Sequence, residues 1–195
     1  MDKKSYIFHW LIGALVLSII GFYNGYPLVY SDTGTYIYSG FNFFIPNDRP
    51  IFYGLFVRVI SMKWSLWFVI ITQNLMSSVI ILELLRKVVL DKKIFSYSYI
   101  SVLFLITVTT GFGWYTNQIM PDFATPLLII LTYLIIKFDE PINFKFISFA
   151  VLLIFFTLIH FSHLLIISFL SVFFLFKLFK ERHTHTHTHT QALGF

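Results

Sequence analysis

Residues 64–85 form an apolar stretch whose only charged side chain is Glu83, and no other feature restricts the fold of this chain as much. A helix needs about 20 predominantly apolar residues to cross the hydrocarbon of a bilayer, and this stretch reaches that length. Arg86, Lys87, Asp91, Lys92 and Lys93 follow it, charges that stop a crossing helix at the polar face. Further apolar stretches lie at 6–22, 94–112, 123–136, 144–159 and 164–179. The last two fall short of a full crossing. They are read either as two tight spans or as one bent pair re-entering the membrane. Only 12% of the residues are charged, against roughly 25% in a soluble domain, and 25 of the 195 are Phe. The expected fold is all-α: a polytopic integral membrane helix bundle of about five or six spans, with residues 1–182 as its membrane domain. No small-residue cleavage site follows residues 6–22, so this stretch is expected to stay as an uncleaved anchor.

The basic residues orient such a bundle. With a cytoplasmic N-terminus, all of the 14 Lys and Arg except Arg49, Arg58 and Lys63 fall on the inner side, as the positive-inside rule asks. The net charge of +5 is thus a topological signal rather than a nucleic-acid one. Cysteine is absent, which removes disulfide and thiolate chemistry. On the same arrangement Asp32, Asp48, Arg49, Asp122, His160 and His163 all face the outer side, at the mouths of helices. Ionisable groups are costly to place there, and are functional candidates for that reason.

Each candidate has a plainer alternative. Asp32 precedes Thr33-Gly34 and suits an Asx-type turn. Asp122 follows Pro121 and suits a helix N-cap. Arg49 has Asp48 beside it as an ion-pair partner. His160 and His163 are one helical turn apart, but two histidines without a carboxylate make a poor metal site, and no metal site is assigned to them. Gln73, Asn74 and Glu83 lie within residues 64–85 and are expected to bond helix to helix.

Residues 23–63 are too polar to span and too aromatic for a free loop. Phe52, Leu55, Phe56, Val59 and Ile60 have the spacing of an amphipathic helix, with Pro50 suited to its first turn. This predicts an extracytoplasmic juxtamembrane helix whose apolar stripe lies in the interface, with Arg58 and Lys63 at lipid phosphates. The alternative is a connector lying on the surface.

Four motifs in order on one side, SDTGTY (31–36), DRPIFYGLF (48–56), QIMPDF (118–123) and HFSHL (160–164), carry a resemblance. The acid after the first helix, the Pro-aromatic juxtamembrane segment and the second acid before the fourth helix look like the N-terminal half of GT-C glycosyltransferases. Together the motifs also resemble a group of uncharacterised bacterial inner-membrane proteins, over residues 1 to about 180. The resemblance implies a polyprenyl-phosphate-linked sugar as donor and action at the outer face of the bacterial inner membrane, among membrane lipids and with no nucleic acid. By resemblance Asp32 and Asp122 are the catalytic pair. Asp32 would be the base on the acceptor hydroxyl, with Asp122 binding a divalent cation or orienting the acceptor. Arg49 would face the departing phosphate. Tyr36, Tyr53, Gln118, His160 and His163, in the same motifs, are the other candidate substrate-binding residues. GT-C proteins often carry paired acids in the first loop, whereas Asp32 stands alone. Asp32 and Asp122 are expected to approach across an outward-facing cavity with Arg49 nearby. The other class of function is a non-catalytic multi-pass protein assisting surface polysaccharide assembly or export.

Residues 183–195 open with four His-Thr repeats. Strict alternation of this kind is what a CA-dinucleotide tract encodes in one frame. The tail is expected to be disordered or the product of a frame shift that truncates a longer gene. The other reading is a His-rich tail that binds metal weakly.

Overall fold

A computed structural model describes residues 2–138 and 141–174; the His-Thr tail lies outside them. The described residues are helical throughout, joined by turns and one isolated parallel bridge between Leu28 and Gln118. Helix α1 (Lys3–Leu17) begins where the Asp2 carboxylate accepts the Ser5 N–H at 2.8 Å, satisfying one of the first-turn donors. It runs almost unbroken through Ser18 into α2 (Ile19–Asn24), which ends at Gly25 with φ of 81°, the left-handed stop that glycine adopts without strain. Helices α3 (Thr33–Asn42) and α4 (Phe52–Ser61) follow, then the long α5 (Trp67–Val88). The remainder are α6 (Phe95–Thr109), α7 (Phe112–Thr116), α8 (Ala124–Ile136) entered through a 3₁₀ turn at Pro121–Phe123, α9 (Phe144–Leu158) and α10, described over Phe161–Phe174.

Two of these are long and apolar enough to cross a membrane, Lys3–Asn24 and Trp67–Val88; each has 22 residues. The third and fifth apolar stretches form helices shorter than their sequence extents, Phe95–Thr109 and Phe144–Leu158. The third stops at Thr110, where the chain turns into the separate helix α7, and the fourth carries Pro121 at its start. The sixth is helical already from Phe161.

Helix α5 is the centre of the bundle. Helices α1, α4 and α8 pack directly on it, α6 lies against α1, and α9 covers α8. One apolar cluster joins Val69, Ile70 and Ile80 of α5 to Leu127, Leu128 and Leu131 of α8 and to Phe149 and Phe156 of α9. A second joins Leu17, Leu82, Phe95, Tyr99 and Leu103. The Asn74 amide of α5 bonds helix to helix, as expected, donating to Ser18 Oγ at 2.9 Å, and the Ser78 hydroxyl adds a bond to Trp10 O at 2.6 Å.

The two ends of the bundle differ in chemistry. At one end the buried Glu83 pairs with Arg86 at 2.9 Å and with Lys145 at 2.5 Å, while Lys87 donates to the carbonyl of Lys137. Glu83 therefore holds α9 to α5 through a desolvated ion pair. The other end carries Asp32 and Asp122.

The juxtamembrane segment holds two helices rather than one. Helix α4 starts at Phe52, two residues after Pro50, and buries Tyr53, Gly54, Phe56 and Val57. Of the expected stripe only Phe56 is fully buried, and Phe52 and Val59 are exposed. The difference has a local cause. Helix α3 lies along α4 in the same sense, with Asp32 near Arg49, Tyr36 on Tyr53 and Gly40 against Gly54. The crossing is tight enough that a Cβ on Gly40 would sit 2.0 Å from Gly54 O. Arg58, expected at lipid phosphates, instead donates to Phe41 O at 2.8 Å and Gly40 O at 3.3 Å, and stacks 4.2 Å over the Phe43 ring. It thus satisfies the final carbonyls of α3, where a cation also complements the helix dipole.

The crossing gives a stability prediction. In Gly40→Ala the new methyl meets backbone, which cannot swing aside, so α3 and α4 must separate. The expected loss is about 1–3 kcal/mol, read as a lower midpoint of thermal unfolding in detergent. Gly34→Ala, where nothing lies within 4 Å of the new methyl, serves as the neutral control. Equal midpoints for the two variants would contradict the crossing.

Candidate functional site

At the acidic end a cavity of about 710 Å³ opens between the turn before α3, the segment from α7 to α8 and the start of α10. Asp32 and Asp122 both line it, together with Gln118 and His160. Tyr30, Trp114 and Tyr115 supply aromatic walls. Two acids far apart in sequence thus face one space, as the order of the motifs led us to expect.

What brings them together is a set of backbone ties. Leu28 N–H donates to Asn117 O and Ile119 N–H donates to Leu28 O, both at 2.9 Å, forming the isolated bridge. Thr33 strengthens it: its hydroxyl donates to Ile119 O at 3.0 Å and accepts the Tyr30 N–H at 2.9 Å. The turn at Asp32 is therefore closed by Thr33. The Asp32 carboxylate makes no capping bond to α3, so the Asx-turn alternative does not describe it. Asp122 lies inside the 3₁₀ turn and caps nothing with its side chain, which removes the N-cap alternative as well.

The two carboxylates differ. Asp32 Oδ2 sits 3.1 Å from Arg49 Nη1, within ion-pair range, although Nη1 is not aligned for a hydrogen bond and is buried without one. Arg49 Nε and Nη2 both donate to Asp48 Oδ2, at 3.1 and 2.5 Å. Its guanidinium also lies 5.2 Å over the Tyr36 ring. Hydrogen bonding to Asp48, with the charge of Asp32 alongside, holds Arg49 in its charged form above its ordinary range; the bond to Asp48 holds that carboxyl below the usual carboxylate range. Asp122, half-buried, has no side-chain hydrogen bond or ion pair among the described residues. One acid is committed to a cation and the other is not.

Three candidate binding residues have structural duties away from the cavity. Tyr36 is buried beneath Arg49 and edge-on to Tyr53; burial pushes its phenol up to about 12, with Arg49 opposing. Tyr53 is fully buried and its hydroxyl donates to Gln73 Oε1 at 2.7 Å. The Gln73 amide in turn donates to Thr116 O and Gln118 O, so Tyr53 supports the cavity floor rather than lining it. His163 is fully buried, bonded through Nδ1 to Phe156 O and through Nε2 to the Thr125 hydroxyl at 2.8 Å. It ties α10 to α8 and α9. His160 Nδ1 accepts the Ser162 N–H at 3.2 Å, leaving Nε2 available at the cavity. Among the described residues no three His, Cys, Asp or Glu side chains lie close enough to share a metal ion.

Sequence reasoning missed Trp114, Tyr115 and Asn117. Asn117 is fully buried and its amide donates to Leu17 O and Gly113 O, both at 2.7 Å, while its Oδ1 accepts from Asn74 at 3.2 Å. The signal was present in the glycine-aromatic run 111–117, where Gly111 and Gly113 flank a tight turn of aromatic side chains.

No protein-family model, curated protein or solved structure matches the chain.

Proposed function

We propose that this protein is a multi-pass membrane protein that works on a sugar at the acidic end of its bundle, transferring it from a polyprenyl-phosphate donor to an acceptor hydroxyl. The observation that carries the reading is the single cavity shared by Asp32, Asp122, Gln118 and His160 between aromatic walls. Carboxylates and amides bind sugar hydroxyls, and Trp and Tyr faces pack on the apolar faces of sugar rings. The resemblance gives the base's role to Asp32. The pairing with Arg49 favours Asp122 instead, because its oxygens have no competing cation. In this reading Asp122 takes the proton of the acceptor hydroxyl as that oxygen bonds to the anomeric carbon. The bond from that carbon to the phosphate oxygen breaks, and its electron pair leaves with the phosphate. Asp32 holds Arg49, whose guanidinium charge, set behind the cavity wall, favours the growing phosphate charge.

Two measurements test the reading. A Cys at Asn42, the chain's only cysteine, is labelled by an impermeant maleimide in intact cells if the acidic end faces outward. Labelling only after the membrane is opened reverses the orientation. Incorporation of labelled sugar from membrane lipid into a surface polymer rises with expression of the chain if it is the transferase. If it does not rise, the non-catalytic assembly role takes its place.

A further inference from the structure

A second cavity, of about 290 Å³, opens at the opposite end of the bundle, between the first turns of α1 and α6 and the end of α5. Its Arg86 stands about 20 Å along α5 from Gln73, which bonds the Gln118 carbonyl at the acidic cavity. Its polar lining is Ser5, His9, Arg86, Lys92 and Ser96, and no acidic residue lines it. Arg86 bonds Glu83 through Nη1 and lies 5.4 Å over the Tyr6 ring, while Nε and Nη2 of its fork have no hydrogen-bond partner among the described residues. Lys92 is exposed and makes no ion pair among them. Helix α6 begins at Phe95 with no side-chain cap, and Phe95 and Ser96 of its first turn line the same cavity. His9 holds that serine: Nδ1 donates to Ser5 O at 2.7 Å, which makes Nε2 the acceptor of the Ser96 hydroxyl at 2.8 Å.

A guanidinium fork, an ammonium and an uncapped helix start around one hollow are the donors that recognise a phosphate. The remaining wall is apolar. Val89 lines the cavity, and Leu90, 85% exposed, stands at its rim. We propose that this cavity binds the phosphate of an amphiphile, an anionic phospholipid headgroup whose chains lie along Val89 and Leu90. The lipid as source rests on the membrane reading given above; recognition of the phosphate does not, and neither depends on sugar transfer.

The test uses the full chain purified in a neutral detergent. Bound lipid is measured by mass spectrometry of the intact protein after addition of phosphatidylglycerol or phosphatidylcholine, and inorganic phosphate and glycerol phosphate are tried as competitors. Two variants keep the fold: Arg86→Lys retains the charge that balances Glu83 but loses the fork, and Lys92→Gln changes an exposed side chain. Lys93→Gln, outside the cavity, is the control. Retention of phosphatidylglycerol over phosphatidylcholine is expected, with each cavity variant weakening it by at least about tenfold, the effect of one charge-assisted hydrogen bond. Displacement by millimolar glycerol phosphate would keep the phosphate site and assign it to a soluble ligand. Equal retention of both lipids, or Arg86→Lys and Lys92→Gln binding like Lys93→Gln, overturns the proposal. A chain that fails in sugar transfer yet passes here separates the two readings.

Discussion

Asp122→Asn lowers sugar transfer by about 10²–10⁴-fold while the protein inserts and accumulates normally. Asparagine keeps the size of the side chain but cannot take a proton, so a loss at equal abundance isolates the base from the turn. Nothing in the fold resists the change, because the Asp122 side chain bonds to no described residue. Asp32→Asn acts differently. It removes the charge beside Arg49 Nη1 but leaves Arg49 bonded to Asp48 through Nε and Nη2. The expected result is weaker use of the donor, seen as a raised KM, with a smaller fall in turnover. The measurement is incorporation of labelled sugar against donor concentration in membranes of matched protein content. Should Asp32→Asn lose turnover and Asp122→Asn keep it, the roles exchange. Should both keep it, the cavity is not a transferase site.

Asn117→Leu is expected to be the most damaging single change to the fold. Its amide donates to Leu17 O and Gly113 O, and its oxygen accepts from Asn74, all in a fully buried setting. A leucine of similar size fits the space but removes the donor to Leu17 O and Gly113 O and the acceptor for Asn74, which keeps only its bond to Ser18 Oγ. Each stranded buried group costs about 1–3 kcal/mol, so a loss on the order of 3–5 kcal/mol is expected in sum. Helix α2 has no slack to absorb the change, since a Cβ on Gly21 would already lie 2.6 Å from Asn117 Oδ1. The backbone of the same residue accepts the Leu28 N–H that ties the Asp32 turn to the Asp122 segment. Transfer activity is therefore expected to fall together with the thermal midpoint, unlike in Asp122→Asn. A variant with an unchanged midpoint would show that the amide is not what joins α1, α5 and α7.

The order and type of the elements were legible in the residues. Hydropathy placed the apolar helices, and Asn74 and Glu83 of α5 were expected to bond between helices, as they do. The shared side of Asp32 and Asp122 also led to the expectation that the two would face one cavity, which both line, whereas Gln118 and His160 join them there and Arg49 stands behind Asp32.

These features depend on local spacing and on transfer from water, both of which act within a few residues of chain. What the spacing could not carry was partnership between segments. Tyr53 and Arg58 sit in one helix and looked equally free, yet one supports Gln73 across the bundle and the other closes α3, because α3 returns alongside α4 in the same sense. His160 and His163 are a single turn apart, and only the packing of α10 on α8 and α9 sends one into the core and leaves the other at the cavity. Asp32 and Asp122 are equivalent as residue types, and the difference between them is Arg49, delivered by the turn before α4. A side chain's chemistry is a property of the residue, but its duty is set by the groups it meets, and those meetings are decided where helices far apart in the chain come into contact.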